Sequence, residues 1–157
     1  MSDGPLVSEE KLVFFRLMEG GCHEQALEYL ARKPELIDCV DNDGDTPLMK
    51  SVEAGNLEMV KQLLRMNANV NMPAVDGFCA IHIAARNGLT TIAEKLLDAG
   101  ANVKAQTPHD WTPIMCALSK DFSGCAAMLE RRGGGSVEAA RRKLASNLKK
   151  FAAGLPK

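Results

Sequence analysis

Apolar and polar positions along this chain repeat with a long, constant period. Three segments of similar pattern begin 33 residues apart, at Thr46-Pro47-Leu48-Met49, Cys79-Ala80-Ile81-His82 and Thr112-Pro113-Ile114-Met115. Further columns keep the same spacing, among them Leu63, Leu96 and Leu129, and Val60, Ala93 and Ala126. A period shared by several independent columns predicts a repeat protein, in which each unit buries its apolar face against its neighbours.

The pattern inside one period predicts two helices joined by a tight turn. Thr46 and Thr112 are good N-caps, and the proline after each suits the first helical position, where no N–H is needed. Gly55 and Gly88 mark the end of the first helix. We expect a second apolar helix over 57–66 and 90–99, followed by short extended stretches at 69–71 and 102–104.

The two ends of the chain predict elements that cap the array. At a spacing of 34, Leu17-Met18-Glu19-Gly20-Gly21 matches the pattern of Ser51 to Gly55, so a degenerate unit opens the array with Ser8 as its N-cap. After Gly133-Gly134-Gly135, Ser136 begins a last helix. Its apolar residues lie on one stripe, which we expect to cover the last unit: Val137, Ala140, Leu144, Leu148 and Phe151.

Composition places the chain among folded, water-soluble proteins of one domain. It has 157 residues, of which 46% are hydrophobic and 25% charged, with a net charge of −1. We find no apolar run long enough for a membrane span and no secretory signal in residues 1–10.

The five cysteines form no C-x-x-C pair, so we expect free thiols that behave as small hydrophobes in a reducing compartment. That favours the cytoplasm, with the nucleus as the alternative.

Motifs for catalysis or metal binding are weak. The run Asp41-Asn42-Asp43-Gly44-Asp45 has the composition of a calcium loop, but position 12 would be Lys50 instead of glutamate. Cys22 and His23 are neighbours on a predicted helix, so their side chains point apart. The histidines lack the spacing of a zinc site. We therefore expect no enzyme activity, no cofactor and no metal.

Three motifs resemble those of the ankyrin-repeat family. Residues 44–49 resemble G-x-T-P-L-H, residues 81–88 resemble L-H-x-A-A-x-x-G, and residues 96–103 resemble L-L-x-x-G-A-D-V; the resemblance covers about 38–131. It implies an all-α solenoid of stacked helix-turn-helix units with a C-terminal capping helix. The implied division is a degenerate repeat over 8–41, repeats over 42–74, 75–107 and 108–135, and a capping helix over 136–153.

The sequence also departs from the family pattern. Cys79-Ala80 replaces Thr-Pro, so the third repeat lacks its usual N-cap. Asp110 and Asp121 replace glycines and Glu130 replaces an apolar residue, so we expect the fourth repeat to be the least regular. Methionine replaces the family histidine in two repeats, which leaves only His82 to make that residue's backbone hydrogen bonds.

The resemblance implies a non-catalytic adaptor, inhibitor or targeting subunit that binds another protein, is monomeric and does not bind nucleic acid. Binding would involve the concave side of the stack and the tips of its turns, which we call the contact face. The residues that map to it are Asp43, Asp45, Glu53, Asp76, Phe78, Arg86, Asn87, His109, Trp111 and Lys120. Asp45, Phe78 and Trp111 form one column that should face outward, and aromatic residues dominate interface hot spots. Alternatively, Trp111 folds back to shield the turn of the fourth repeat.

Charge is unevenly distributed. Residues 35–58 contain seven acids and one base, which favours a basic partner surface, although a solvated acidic face explains the run as well. Residues 136–157 carry six bases and one acid. A basic amphipathic helix of this kind can bind a membrane surface or a calmodulin-like groove. We favour a capping helix with a solvated basic face, which requires no membrane partner.

Overall fold

The computed structural model describes residues 5–153, with the side chains of 5–8, 151 and 152 excepted. In that range the chain forms nine α-helices and one 3₁₀ turn (Pro34–Leu36), with no strand. The helices are α1 (Pro5–Glu19), α2 (His23–Arg32), α3 (Pro47–Glu53), α4 (Leu57–Arg65), α5 (Ala80–Arg86), α6 (Thr90–Asp98), α7 (Pro113–Ser119), α8 (Ser123–Arg131) and α9 (Val137–Ala153). The predicted all-α repeat solenoid is confirmed.

Helices α3, α5 and α7 begin at the residues that the N-cap pattern predicts. The Thr46 hydroxyl accepts the Met49 backbone N–H at 3.2 Å, and Thr112 accepts that of Met115 at 3.4 Å. Cys79 occupies the same position before α5, where its own N–H donates to Nδ1 of His82 at 3.2 Å. The His82 N–H, which is equivalent to the Met49 and Met115 N–H groups, donates instead to the Cys79 carbonyl at 2.9 Å. The histidine ring therefore satisfies a different N–H, that of the cap residue itself.

The turn after each first helix contains one residue in the left-handed region. Gly55 and Gly88 have φ of 66°, and Asp121 has φ of 61° at the equivalent position. A Cβ at 88 would lie 2.5 Å from the Phe122 ring, so a side chain there requires that ring to move. The turns before α5 and α7 also lie against the preceding unit, Val75 against Gly44 and Pro108 against Gly77.

The expectation of an irregular fourth repeat is wrong. Helices α7 and α8 have seven and nine residues, the same lengths as α5 and α6. Asp110 and Asp121 adopt the left-handed conformation that glycine would supply, which aspartate tolerates better than most residues. The fourth repeat therefore keeps the backbone conformation of the other repeats, although its residues at these positions depart from the family pattern.

Two local predictions also need correction. Helix α1 already begins at Pro5, a residue suited to a first helical position, so Ser8 lies inside the helix and is not its N-cap. Residues 69–71 and 102–104 form turns instead of extended stretches. In these turns the Met72 N–H donates to Asn69 O at 3.4 Å, and the Ala105 N–H donates to Asn102 O at 3.0 Å.

The core runs the length of the stack because each unit packs only on its neighbours. The first helices form one row, with α1 on α3, α3 on α5, α5 on α7 and α7 on α9. The second helices form another, with α4 on α6 and α6 on α8. Leu63, Leu96 and Leu129 are all fully buried, so the 33-residue column is a column of equivalent core positions.

Helix α9 covers the last unit through the first part of its apolar stripe. Val137, Ala140 and Leu144 pack against the core, whereas Leu148 is 59% exposed; the side chain of Phe151 lies outside the described residues, as does Lys157. As predicted, Ser136 caps the helix: its hydroxyl accepts the Ala139 N–H at 3.4 Å. The Glu130 carboxylate accepts the Val137 N–H at 2.9 Å, which explains an acid at a position where an apolar residue was expected.

Candidate partner-binding face

All ten residues predicted for the contact face are accessible to solvent. Six are exposed, namely Asp43, Glu53, Asp76, Asn87, His109 and Lys120. Four are half-buried, namely Asp45, Phe78, Arg86 and Trp111. The half-buried residues take part in contacts within the chain, and these contacts divide the contact face into two ends of different chemistry.

At one end, Lys50 organises the acidic turn before α3. Its Nζ lies 2.9 Å from Asp41 Oδ2 and 3.3 Å from Asp45 Oδ2. The hydrogen bond to Asp41 is the main cause that raises the pKa of Lys50. Burial acts to raise the pKa of Asp41, but hydrogen bonds from Lys50 and from the Asp45 and Asp43 backbone lower it overall. The Asp45 carboxylate is therefore turned towards Lys50 instead of outward, while Asp43 stays exposed.

A groove of about 460 Å³ joins this acidic end to α1. Its lining includes Met18, Glu19, Lys50, Glu53 and Ala54. Sequence reasoning missed Glu19 and Lys50 as parts of the face. The signal was present for Glu19, which precedes Glu53 by 34 residues in the alignment of the degenerate unit.

At the other end, four of the predicted residues meet in one groove. It has a volume of about 320 Å³ and is lined by Phe78, Arg86, Trp111, Cys116, Ser119 and Lys120. The Arg86 guanidinium carbon lies 5.6 Å from the centre of the Phe78 ring, within range of a cation–π contact. We call this site the aromatic–cationic groove.

His82 fixes the backbone on which this groove is built. It is fully buried, and its Nε2 lies 3.1 Å from Ala105 O and 3.2 Å from Trp111 O. Carbonyl oxygens only accept hydrogen bonds, so we infer that Nε2 carries the proton and Nδ1 accepts the Cys79 N–H. The expectation that His82 makes backbone hydrogen bonds is confirmed.

The position of His82 also explains its protonation. Burial lowers the pKa of His82, although hydrogen bonds to the Trp111 and Ala105 carbonyls act in the opposite direction. The ring is neutral near pH 7 and joins three backbone segments. Phe78 packs against the same ring, with 5.4 Å between the ring centres in an edge-to-face arrangement.

Trp111 is both packed and accessible, so its position is compatible with each of the two alternatives that the sequence left open. Its side chain packs against the core and also lines the aromatic–cationic groove. Its backbone N–H donates to the Thr107 hydroxyl at 3.2 Å, and its carbonyl accepts from His82. The indole is therefore anchored and half-accessible, as a preorganised contact residue should be.

The cysteines lie mainly in the core as unreactive thiols. Cys39, Cys79, Cys116 and Cys125 are buried, and burial raises the pKa of Cys39 to about 11 and that of Cys116 to about 12. A thiol that stays protonated at neutral pH is a poor nucleophile. Cys22 is exposed, so the expectation that every thiol behaves as a core hydrophobe is wrong for that residue.

Residues 5–153 contain no group of three or more metal-ligating side chains arranged to hold an ion. None of the described helices has the length and hydropathy needed to span a bilayer.

Comparison with known proteins identifies one family and several partial relatives. A family model described as ankyrin repeats (3 copies) matches residues 15–107. B-cell lymphoma 3 protein homolog of Mus musculus is 39% identical over 101 residues, which are 64% of this chain and 22% of the relative. Ankyrin repeat and SOCS box protein 3 of Homo sapiens is 32% identical over 93 residues, 57% of this chain and 18% of the relative.

A third relative is the RelA-associated inhibitor of Mus musculus, 32% identical over 84 residues, which are 53% of this chain and 10% of the relative. The chain thus spans between 10% and 22% of the length of these three proteins. The family match begins at residue 15 and so includes the degenerate unit, but it ends before α7. The α7–α8 pair lies beyond it, and this is the unit in which Asp110, Asp121 and Glu130 depart from the pattern.

Proposed function

This chain belongs to the ankyrin-repeat family, and we propose that it acts as a non-catalytic adaptor, inhibitor or targeting subunit whose contact face binds one partner protein. The aromatic–cationic groove carries the proposal. The chain has 4% aromatic residues, yet two of them, Phe78 and Trp111, lie half-buried in one groove of the predicted face. Anchored aromatic side chains of this kind supply much of the binding energy in protein interfaces.

The names of the relatives are consistent with this role. One is named as an inhibitor associated with another protein, and that description applies to the relative itself. The present chain aligns with it over 84 residues, which are 10% of that protein's length. The partner of this chain therefore has to be found by experiment.

Substitution of the two aromatic residues tests the proposal. We expect Trp111→Ala and Phe78→Ala each to weaken binding of a partner identified by affinity purification by about tenfold or more, as for hot-spot residues. Calorimetry would measure the affinity, and circular dichroism would show that both variants stay folded. Leu12→Ala is a matched control, because it removes an exposed apolar side chain from α1 that does not line the groove. Unchanged affinity in both aromatic variants would contradict the proposal.

A second candidate function concerns the distal part of α9. Leu148 is exposed beside Lys149 and Lys150, and the only acid of the helix, Glu138, lies near its start, 3.5 Å from Arg142. An exposed apolar residue among bases favours an anionic membrane surface or a calmodulin-like groove. Flotation with anionic liposomes and calcium-dependent binding to calmodulin test this alternative. If the chain stays in the soluble fraction and does not bind calmodulin, α9 acts only as a capping helix.

Location and assembly state also belong to the proposal. We infer a cytoplasmic protein, or a nuclear one, that is monomeric when unbound and has no nucleic-acid partner. Imaging of the tagged full-length protein tests its location. Light scattering after gel filtration tests its assembly state.

A further inference from the structure

Two cations in the aromatic–cationic groove form no ion pair with the described part of the chain. Arg86 and Lys120 line the same groove, and neither forms an ion pair with another described residue. Some other described bases are paired with acids, such as Lys50 with Asp41 and Arg132 with Asp98, and others, such as Arg65, are not. Arg86 and Lys120 differ from those unpaired bases because they line one groove together. The groove therefore has a positive charge that a partner can neutralise.

The Arg86 side chain is held in place by its contact with Phe78. A guanidinium that packs over an aromatic ring keeps the N–H groups of its edge available for hydrogen bonds. Half-burial reduces the water around this group and strengthens its interaction with an anion. Carboxylates match the planar, two-pronged geometry of a guanidinium, so a carboxylate side chain fits this position.

Apart from Ser119, whose hydroxyl donates to the Cys116 carbonyl at 2.8 Å, the rest of the groove lining is apolar. Phe78 and Trp111 form part of its walls, and the buried Cys116 lines it with a thiol that burial keeps protonated. Its volume of about 320 Å³ is at the small end of the range for binding sites. That space suits one or two side chains of a peptide segment, one of them apolar.

Nearby acids do not occupy the groove. The Asp76 carboxylate accepts the Phe78 backbone N–H at 3.0 Å. Asp110 and Asp121 adjoin Trp111 and Lys120 in the sequence, but both are exposed and neither lines the groove. The lining itself contains two bases and no acid.

The opposite end of the contact face has the reverse charge. Glu19 and Glu53 line the groove between α1 and α3, and Asp43 is exposed on the turn before α3. A partner segment that follows the stack would then meet acids beside the first units and bases beside the last. Such a surface favours one orientation of the segment over the other.

We propose that the aromatic–cationic groove binds a protein segment in which an aspartate or glutamate stands next to an apolar residue. The carboxylate lies between Arg86 and Lys120, and the apolar side chain contacts Phe78 and Trp111. This inference rests on the proposed function, because it specifies the partner chemistry of the same face.

Selection from a library of random displayed peptides on the immobilised full-length chain provides the probe. We expect enriched peptides to contain an acid beside an aliphatic or aromatic residue. A labelled peptide from that set is then titrated against variants, with fluorescence anisotropy as the readout. Absence of an acidic residue from the enriched peptides, or enrichment of none at all, would overturn the inference.

Charge reversal then locates the contact. We expect Arg86→Glu and Lys120→Glu each to raise the Kd about tenfold or more, whereas Arg65→Glu at the end of α4 changes it less than about twofold. Replacing the peptide acid by its amide should also weaken binding to the wild-type chain, but it should have little further effect on Arg86→Gln, a neutral change that adds no repulsion, as expected for directly interacting groups. Arg86→Gln serves in place of Arg86→Glu if the latter fails to fold.

These experiments distinguish failure of the inference from failure of the proposed function. If binding resists the changes at Arg86 and Lys120 but is lost in Asp43→Lys or Glu53→Lys, the inference is overturned while the proposed function stands. If binding is instead unchanged in all of these charge variants and in Trp111→Ala and Phe78→Ala, the contact face is not the binding surface, and both the inference and the proposed function are overturned.

Discussion

Among single residues, His82 links the stability of the stack to the geometry of its binding face. Its ring joins the start of α5 to the carbonyls of Ala105 and Trp111 in the next unit. The Nδ1 atom accepts an N–H, so a second proton on the ring would remove that hydrogen bond. A neutral His82 is therefore part of the folded state.

Acidification should weaken the fold through this residue. Because burial holds the pKa of His82 below its ordinary value of 6.5, the unfolded chain takes up the proton first as the pH falls. The stabilisation is present above pH 6.5 and is lost as the pH falls through the lower pKa of the folded state. We expect urea unfolding to give a smaller free energy at pH 5 than at pH 7.

Variants of two histidines separate this effect from general acid destabilisation. His82→Gln should lower the unfolding free energy at pH 7 by about 1–3 kcal/mol and flatten its dependence on pH between 7 and 5. His109→Gln replaces an exposed histidine and should keep the wild-type profile. Equal pH dependence in all three proteins would show that His82 is not responsible.

The turn after α5 offers a second residue-scale prediction. Gly88→Ala should destabilise the chain by about 2 kcal/mol or more, because its left-handed backbone disfavours a side chain and its Cβ would collide with Phe122. Gly55→Ala has the same φ, but its nearest neighbour, Leu89, lies at 3.9 Å. Thermal unfolding of both variants measures the two contributions. A larger loss for Gly55→Ala would contradict this explanation.

At the scale of elements, α9 contains two parts with different surroundings. Leu144 packs against the core, whereas Leu148 is mainly exposed. We expect Leu144→Ala to lower the unfolding free energy by about 1 kcal/mol, and Leu148→Ala to change it by less than about 0.5 kcal/mol. Chemical denaturation measures both. Equal losses would mean that the whole stripe covers the last unit.

The elements were largely predictable because their signals are local. Thr46 and Thr112 cap helices as their type and position indicate, and the 33-residue columns identify the core. The start of α1 and the turns at 69–71 and 102–104 were misjudged, since several residue types satisfy such positions. The regular fourth unit was missed because aspartate can adopt a conformation that the pattern assigns to glycine.

The site was less predictable than the elements. Sequence columns indicated Phe78, Arg86, Trp111 and Lys120, and the fold brings them into one groove. The pairing of Asp45 with Lys50 was not foreseen, because it depends on side-chain rotamers within a turn. Repeat periodicity predicts the backbone position of a side chain, but it does not predict which residues the tip of that side chain contacts.

At the scale of the whole molecule, contacts between neighbouring units should produce a gradient of local stability. Helices α3 to α6 have units on both sides, whereas α1 and the distal part of α9 lie at the ends of the stack. We expect backbone amides of α3 to α6 to exchange with deuterium most slowly, and those near both ends to exchange fastest. Hydrogen exchange followed by mass spectrometry measures this order. Uniform protection from α1 to α9 would indicate one cooperative block instead.

The contacts of Val75 with Gly44 and of Pro108 with Gly77 set the distance between successive turns. These contacts leave the side chains of Asp43, Asp76 and His109 exposed. Under the proposed function, mutations at the three tips can therefore alter which surface is recognised without disturbing the spacing between successive turns. Evolution can change the ligand of such a chain by substitutions at one tip at a time, while the stacked helices and the spacing of the turns stay the same.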